Sequence, residues 1–446
     1  MKKTFYWILC ICISFQIGAS KLKAETKMEL SKSERTSISN VRSFIQSNWT
    51  NTIRTNPKDN GTFIGLPYPY TVPCVKGNFQ EMYYWDTYFT NIGLILDGNV
   101  AQAQNNCEDM LYLVDRFGFM PNGNRTWFLD RSQPPYLSMM IRDVFNKTKD
   151  VTWLKKCLPT LEKEYAFWMT KRMTHIGLNH YSNNATDQNK MQAFREGSKR
   201  LGLKSDTTNL SEADKIKIGS HFFSECESGW DYNPRFENRC EAFCPVDLNS
   251  NLYMYEMNFA FFYSQIQPSE VEKWKKLAEK RKGLIDKYLF NSKDGLFYDY
   301  DFVNRKHSTV YSAAVFSLLW SKVVTKQQAK TILASLPKLE YKFGVAACNS
   351  GERNGNYQWD YPNGWPCIQF LTVKGLQNYR FDDAASRIAY KYTSTASHNF
   401  EKTKNLWEKY NITDGSIKVK NEYEMPAMMG WTAGVFVYMS DYLLSK

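Results

Sequence analysis

Apolar residues recur every three or four positions over residues 92–113, 153–173, 252–266, 271–289, 329–336, 384–407 and 431–444. That period puts them on one face of a helix, so each segment is predicted helical. Between them run stretches rich in Asn, Gly, Pro and aromatic residues, at 61–77, 118–135, 229–245 and 344–365; turn-forming residues at this density predict loops. Strand-type alternation is scarce and short, as at 295–303. Long structureless loops in a compact helical chain usually carry function, so the chemistry is expected there. No Pro-rich, Gly/Ser-rich or like-charged linker interrupts the chain, and no repeat of about 20 to 50 residues shows. The expectation is one all-α domain over residues 25–446.

The start of the chain follows a different pattern. Met1-Lys2-Lys3 precedes an apolar run from Phe5 to Ile17, followed by the small residues Gly18 and Ser20 of one candidate cleavage site and Ala24 of the favoured one. A charged start, an apolar run too short to span a bilayer and a small-residue exit predict a secretory signal peptide over residues 1–24. The mature chain is then exported, periplasmic or secreted, with no membrane association once the signal is gone. Its removal takes Lys2, Lys3, Lys21 and Lys23 and no acid, so the formal charge falls from +12 to +8.

The 446 residues are 43% hydrophobic and 15% aromatic, enough for a large core, which excludes a disordered chain and a coiled coil. The densest basic set, Lys273, Lys275, Lys276, Lys280, Arg281 and Lys282, alternates with Trp274, Leu277, Leu284 and Ile285 at helical spacing. That makes a solvated helix face, and nucleic acid is not an expected partner. Eight cysteines follow the signal. Cys226, Cys240 and Cys244 lack zinc-type spacing and have only His221 nearby, so no metal is expected and the thiols serve as loop-pinning disulfides or core residues.

The chain has no Gly-rich phosphate loop, no Gly-x-Ser-x-Gly elbow and no His-Glu-x-x-His, and holds only five histidines. Carboxylates beside aromatic rings recur instead: Trp85-Asp86, Trp230-Asp231, Trp359-Asp360 and Glu422-Tyr423, with Glu408-Lys409-Tyr410 just upstream of the last. A pyranose offers an apolar face to a ring and a rim of hydroxyls to carboxylates and amides. Hydrolysis of a glycosidic bond adds the need for two carboxyls, one protonated and one ionised. A single Trp-Asp pair is commonly a packed ring beside a helix-capping acid; three of them in loops between helices point to a sugar site.

The segment Phe79-Gln80-Glu81-Met82-Tyr83-Tyr84-Trp85-Asp86-Thr87-Tyr88 resembles the first signature of the trehalases, and Gln358-Trp359-Asp360-Tyr361-Pro362-Asn363-Gly364-Trp365-Pro366 resembles the second. Pro121-Asn122-Gly123-Asn124-Arg125, Arg131-Ser132-Gln133-Pro134-Pro135, Glu227-Ser228-Gly229-Trp230-Asp231 and Val246-Asp247-Leu248-Asn249 match between them in the same order. The resemblance to glycoside hydrolase family 37 implies an (α/α)6 barrel, two rings of paired helices with a sugar pocket built by the loops at one end. It implies a cofactor-free inverting α-glycosidase whose partner is a small disaccharide; a monomer is expected. Asp231 would be the general acid and Glu408, in Glu408-Lys409-Tyr410-Asn411, the general base. Substrate binding would fall to Trp85, Asp86, Asn122, Arg131, Ser132, Gln133, Gly229 and Glu422, with Trp359 and Asp360 lining the pocket and Arg195-Glu196 standing for the family's Arg-Pro-Glu.

Three departures bear on the substrate. The family's Pro-Gly-Gly-Arg-Phe is here Val75-Lys76-Gly77-Asn78-Phe79, the Gly-rich stretch before Glu422 is Lys418-Val419-Lys420-Asn421, and the Arg-Pro-Glu is incomplete. A barrel acting on another α-linked disaccharide, in the manner of glycoside hydrolase family 63, is therefore the second enzymatic reading. A sugar-binding protein on a decayed scaffold is the non-enzymatic one, and the presence of both carboxylates speaks against it.

Overall fold

The computed structural model describes residues 29–202, 209–353, 355–421 and 423–445. The expected signal peptide and Glu422 lie outside the described residues. The helices are, in chain order, α1 (Lys32–Asn48), α2 (Tyr84–Leu96), α3 (Val100–Phe117), α4 (Leu137–Thr148), α5 (Val151–Lys171), α6 (Asp187–Arg200), α7 (Glu212–Glu227), α8 (Val246–Ile266), α9 (Val271–Tyr288), α10 (Phe316–Ser321), α11 (Lys326–Ser335), α12 (Pro366–Asn378), α13 (Asp382–Thr403) and α14 (Trp431–Leu444).

Six of them close a ring. Helix α2 packs on α4, α4 on α8, α8 on α10, α10 on α12, α12 on α14, and α14 returns to α2. The helices α1, α3, α5, α9, α11 and α13 alternate with these along the chain and form the outer layer. This is the (α/α)6 barrel expected from the sequence, with α6 and α7 added as a hairpin between α5, the third outer helix, and α8, the third inner one.

The two layers differ in how they bury side chains. Every residue of α2 from Tyr84 to Ile95 is buried, because an inner helix meets neighbours on all sides. Outer α9 buries only Trp274, Ala278, Arg281 and Ile285, one residue per turn. The seam that closes the ring depends on two glycines: a Cβ on Gly93 would meet Gly434 Cα at 2.6 Å, and one on Gly434 would meet the Phe89 carbonyl oxygen at 1.9 Å. Only hydrogen at both positions lets α2 and α14 approach this closely.

Buried polar groups between the two layers pair across them. The Tyr255 hydroxyl donates to Glu164 at 2.7 Å and shares a bond of 2.9 Å with the Tyr84 hydroxyl. Arg281 donates to Glu256 at 2.8 Å and to Asn179 at 2.8 Å.

The apolar period at 92–113 is divided by the structure into the end of α2 and most of α3. Gly98 takes φ +87° between them, and Asp97, at the end of α2, accepts from Arg42 at 2.6 Å and from the Trp49 indole at 2.8 Å. The strand signal at 295–303 becomes parts of two short hairpins, Leu296–Phe297 against Phe290–Asn291 and Tyr300–Asp301 against Lys306–His307. No disulfide joins the described cysteines; all but half-buried Cys226 are buried thiols.

Candidate active site

Residues at the starts of the inner helices, and in the loops before them, line a cavity of about 600 Å³. Trp85 and Asp86 come from the first turn of α2, Asn122, Arg131 and Gln133 from the loop before α4, Gly229 and Asp231 from the loop after α7. Trp359 and Trp365 precede α12, and Glu408, Tyr423 and Trp431 lead into α14. Both proposed catalytic carboxylates therefore face one cavity.

The aromatic wall is a stack. Trp359 lies on Trp365 with ring centroids 3.7 Å apart and planes 2° from parallel, and Trp230 lies on Trp359 at 5.0 Å. Trp85 meets Trp359 at 5.5 Å and Trp431 edge-on at 5.7 Å. Behind Trp230 the buried Arg235 guanidinium sits 4.3 Å from its ring and pairs with Asp247 and Asp299, each at 2.9 Å. This pins the loop that carries Asp231. Gly229 allows the loop to pass: it takes φ +72°, and a Cβ there would meet the Trp85 ring at 2.8 Å.

The polar wall is held by the backbone of its neighbours. Gln133 Oε1 accepts from the Trp85 amide at 3.2 Å. The Asn122 carbonyl accepts from the Tyr84 amide at 3.0 Å, and its own amide donates to the Arg131 carbonyl at 3.0 Å. Arg131 pairs with Asp130 at 2.5 Å and has a buried Nε with no partner among the described residues. Glu408 accepts from the Tyr423 hydroxyl at 2.5 Å and from the Lys409 ammonium, and its carbonyl accepts from the Trp431 indole at 3.2 Å. Burial, then the neighbouring Glu408 and Asp231, push the Asp86 carboxyl up to about 8. At neutral pH it holds a proton and can donate as well as accept.

Four residues expected at the site are placed elsewhere. Arg195 and Glu196 lie on the exposed face of α6, and Glu196 accepts from Gln192 within that helix at 3.0 Å. Asp360 is buried but turned from the cavity toward Arg353 at 3.4 Å. Ser132 donates to the Met120 carbonyl at 2.6 Å, and its amide donates to Glu227 at 2.9 Å, so it braces the loop rather than lining the cavity.

Other residues enter that the sequence reading did not single out. Glu81 and Arg125 pair at 2.7 Å on the cavity wall. Buried Glu227 accepts from Arg172 at 2.7 Å and from the amides of Ser132 and Ser182 at 2.9 and 2.7 Å, tying the Arg131 loop to the Asp231 loop. Its place in Glu227-Ser228-Gly229-Trp230-Asp231 was a visible signal; its clamp is a tertiary contact.

A closed ring of six inner helices, with carboxylates converging on a tryptophan-lined cavity at one end, defines the (α/α)6 glycoside hydrolases. Comparison with known proteins narrows this. The family model described as Trehalase matches residues 16–443, and the chain belongs to the trehalase family. It is 30% identical over 409 residues to the periplasmic trehalase of Salmonella choleraesuis, covering 87% of this chain and 70% of that one. The neutral trehalase Nth1 from Saccharomyces cerevisiae superposes with a TM-score of 0.72 at 28% identity, over 90% of this chain and 80% of that one. A family 63 mannosylglycerate hydrolase from Thermus thermophilus shares the fold at a TM-score of 0.60 and 16% identity, over 91% of this chain and 99% of that one.

Proposed function

We propose that the protein is an exported trehalase that hydrolyses α,α-trehalose to two glucose molecules with inversion. The observation that carries this reading is the convergence of Asp231 and Glu408 on one aromatic cavity in a chain of the trehalase family. Asp231 gives its proton to the glycosidic oxygen as the bond to the anomeric carbon breaks. Glu408 takes a proton from water attacking that carbon from the opposite face. Trp85 offers its ring to the sugars and Trp359, sandwiched between Trp365 and Trp230, an edge, while Asp86, Asn122, Arg131 and Gln133 hold hydroxyls and the Gly229 backbone approaches the substrate; Glu422 belongs to the same binding set. Export rests on the charged and apolar N-terminal pattern and on the periplasmic relative.

Proton NMR of the first turnovers tests the reading. Inversion at one centre releases one β-glucose and one α-glucose from each trehalose, whereas retention releases two α-glucoses. A protein that binds trehalose and releases no glucose overturns hydrolysis. One observation favours a second substrate: Asn78, at the exposed lip of the cavity, stands where the family motif has arginine. A panel of α-linked gluco- and manno-disaccharides separates the two readings.

A further inference from the structure

We infer that Lys409 is a positioning residue for the base, the buried counter-charge that keeps Glu408, among three converging carboxyls, the ionised one. This rests on the reading of Glu408 as general base.

The Lys409 side chain is 0% exposed and that of Glu408 2%. The ammonium touches the carboxylate directly, and this is the one ion pair of Glu408 among the described residues. A buried carboxylate is costly without such a partner. Lys409 is enclosed between the Trp365 ring, 4.3 Å from its nitrogen, and the Tyr423 ring at 5.6 Å. It is not among the residues lining the cavity, so it acts through Glu408 and not on the sugar.

The groups facing Glu408 from the surrounding elements make this counter-charge necessary. Asp86 at the start of α2 and Asp231 on the opposite loop bring two more acids. Cys74, before α2, and Cys367, at the start of α12, are thiols pushed up mainly by burial, and they stay neutral. Tyr423 contributes a neutral hydroxyl. Arg131 lies on the wall with Asp130 and Asp231. Three acids crowded together do not all ionise. The ammonium fixed on Glu408 favours charge on that carboxyl over buried Asp86.

The test is the pH dependence of kcat/KM for trehalose. Lys409→Met keeps the length and apolar contacts of the stem and removes the charge. Its acidic limb is expected to move upward by ~1–3 pH units, the range a contacting opposite charge produces. The deficit against wild type is then greatest in acid and shrinks as the pH rises. Lys409→Arg, which keeps the charge, holds the limb near its wild-type place. Tyr423→Phe, which removes a neutral donor, moves it upward by a smaller step. If Lys409→Met does not fold, Lys409→Gln is read in the same way. A folded neutral variant with an unmoved limb, beside an inactive Glu408→Gln, overturns the inference alone. A fully active Glu408→Gln overturns the base assignment itself.

Discussion

The barrel has two mouths of nearly equal size and unlike chemistry. At the end described above, a cavity of about 600 Å³ is lined by residues at and before the starts of the inner helices. At the other end, a cavity of about 610 Å³ is lined by residues later in the same helices, among them Ile92 of α2, Asp143 of α4, Met254 of α8, Trp320 of α10, Lys374 of α12 and Tyr438 of α14. The inner helices thus point their N-termini at the first cavity and their C-termini at the second. Amide dipoles favour anions at the first mouth and cations at the second. Accordingly Asp86 and Asp247 sit in first turns, while Lys147 sits in the last turn of α4 and Lys322 caps α10.

Volume therefore does not distinguish the site; the loops do. Carboxylates at the first mouth have fixed partners: Glu81 pairs with Arg125 of another loop, and Glu408 accepts from Lys409 and Tyr423 of its own. Asp143, at the second, makes no hydrogen bond or ion pair to a described residue and feels Lys374 and Arg142 only at a distance. A carboxylate keeps a catalytic geometry where such partners fix it.

The largest contrast is catalytic. Asp231→Asn and Glu408→Gln are each expected to lower kcat by ~10²–10⁴-fold with the fold intact by circular dichroism. Asp143→Asn and Lys374→Met, at the second mouth, should leave kcat/KM within about twofold. Loss of turnover in the second pair would erase the distinction between the mouths.

The next contrast lies at the lip. A charged donor to a sugar oxygen contributes ~1.5–3 kcal/mol, so Asn78→Arg is expected to raise kcat/KM for trehalose about ten- to a hundredfold relative to other α-glucosides. Rates on a disaccharide panel check it. A wild type already efficient on trehalose, with a folded variant no better, would show that Arg125 or Arg131 already supplies the contact.

Two glycines with positive φ compare the ends in stability. Gly229→Ala drives a methyl into Trp85 and is expected to cost ~1–3 kcal/mol from crowding on top of the left-handed backbone. Gly98→Ala, after the C-terminus of α2, meets nothing within 4 Å and bears only the backbone cost of ~1–2 kcal/mol. Denaturant unfolding measures both, and equal losses would mean that the close approach to Trp85 relaxes freely.

The last contrast is in pH. Burial raises Asp86 from 3.8 to about 8 and Asp143 from 3.8 to about 6. A raised carboxyl stabilises the native state fully below the unfolded value and loses that contribution as the pH climbs through the folded one. Relative to wild type, Asp143→Asn should thus gain stability between about pH 4 and 6, and Asp86→Asn should go on gaining to about pH 8. Urea unfolding across that range reads the difference.

Helices of both layers were legible in the sequence: inner α14 and most of inner α8 fall on the predicted segments 431–444 and 252–266. The outer α3, α5, α9, α11 and α13 all fall on predicted segments, because burial of one residue per turn leaves a three-to-four period. Inner α4, α10 and α12 were passed over. Their surroundings are protein on every side, so α12 carries Cys367, Gln369 and Thr372 buried beside Phe370 and Leu371, and no polar face marks the period. The outer α1 was also passed over, although Ser31 and Glu34 form a capping box at its start. The α6–α7 hairpin, an addition to the ring, had no periodic signal strong enough to read.

The sequence by itself determined the family and the helix-and-loop alternation and singled out Trp85, Asp231, Trp359 and Glu408, which line one cavity, since local motifs survive wherever chain order preserves them. Tertiary structure alone decided which of the motif residues face the cavity. Asp360, next to Trp359, turns to Arg353; Ser132, between Arg131 and Gln133, braces a loop; and Arg195-Glu196 points to solvent. Adjacent side chains on a loop leave in different directions, and which of them meets the substrate depends on what the rest of the barrel places opposite.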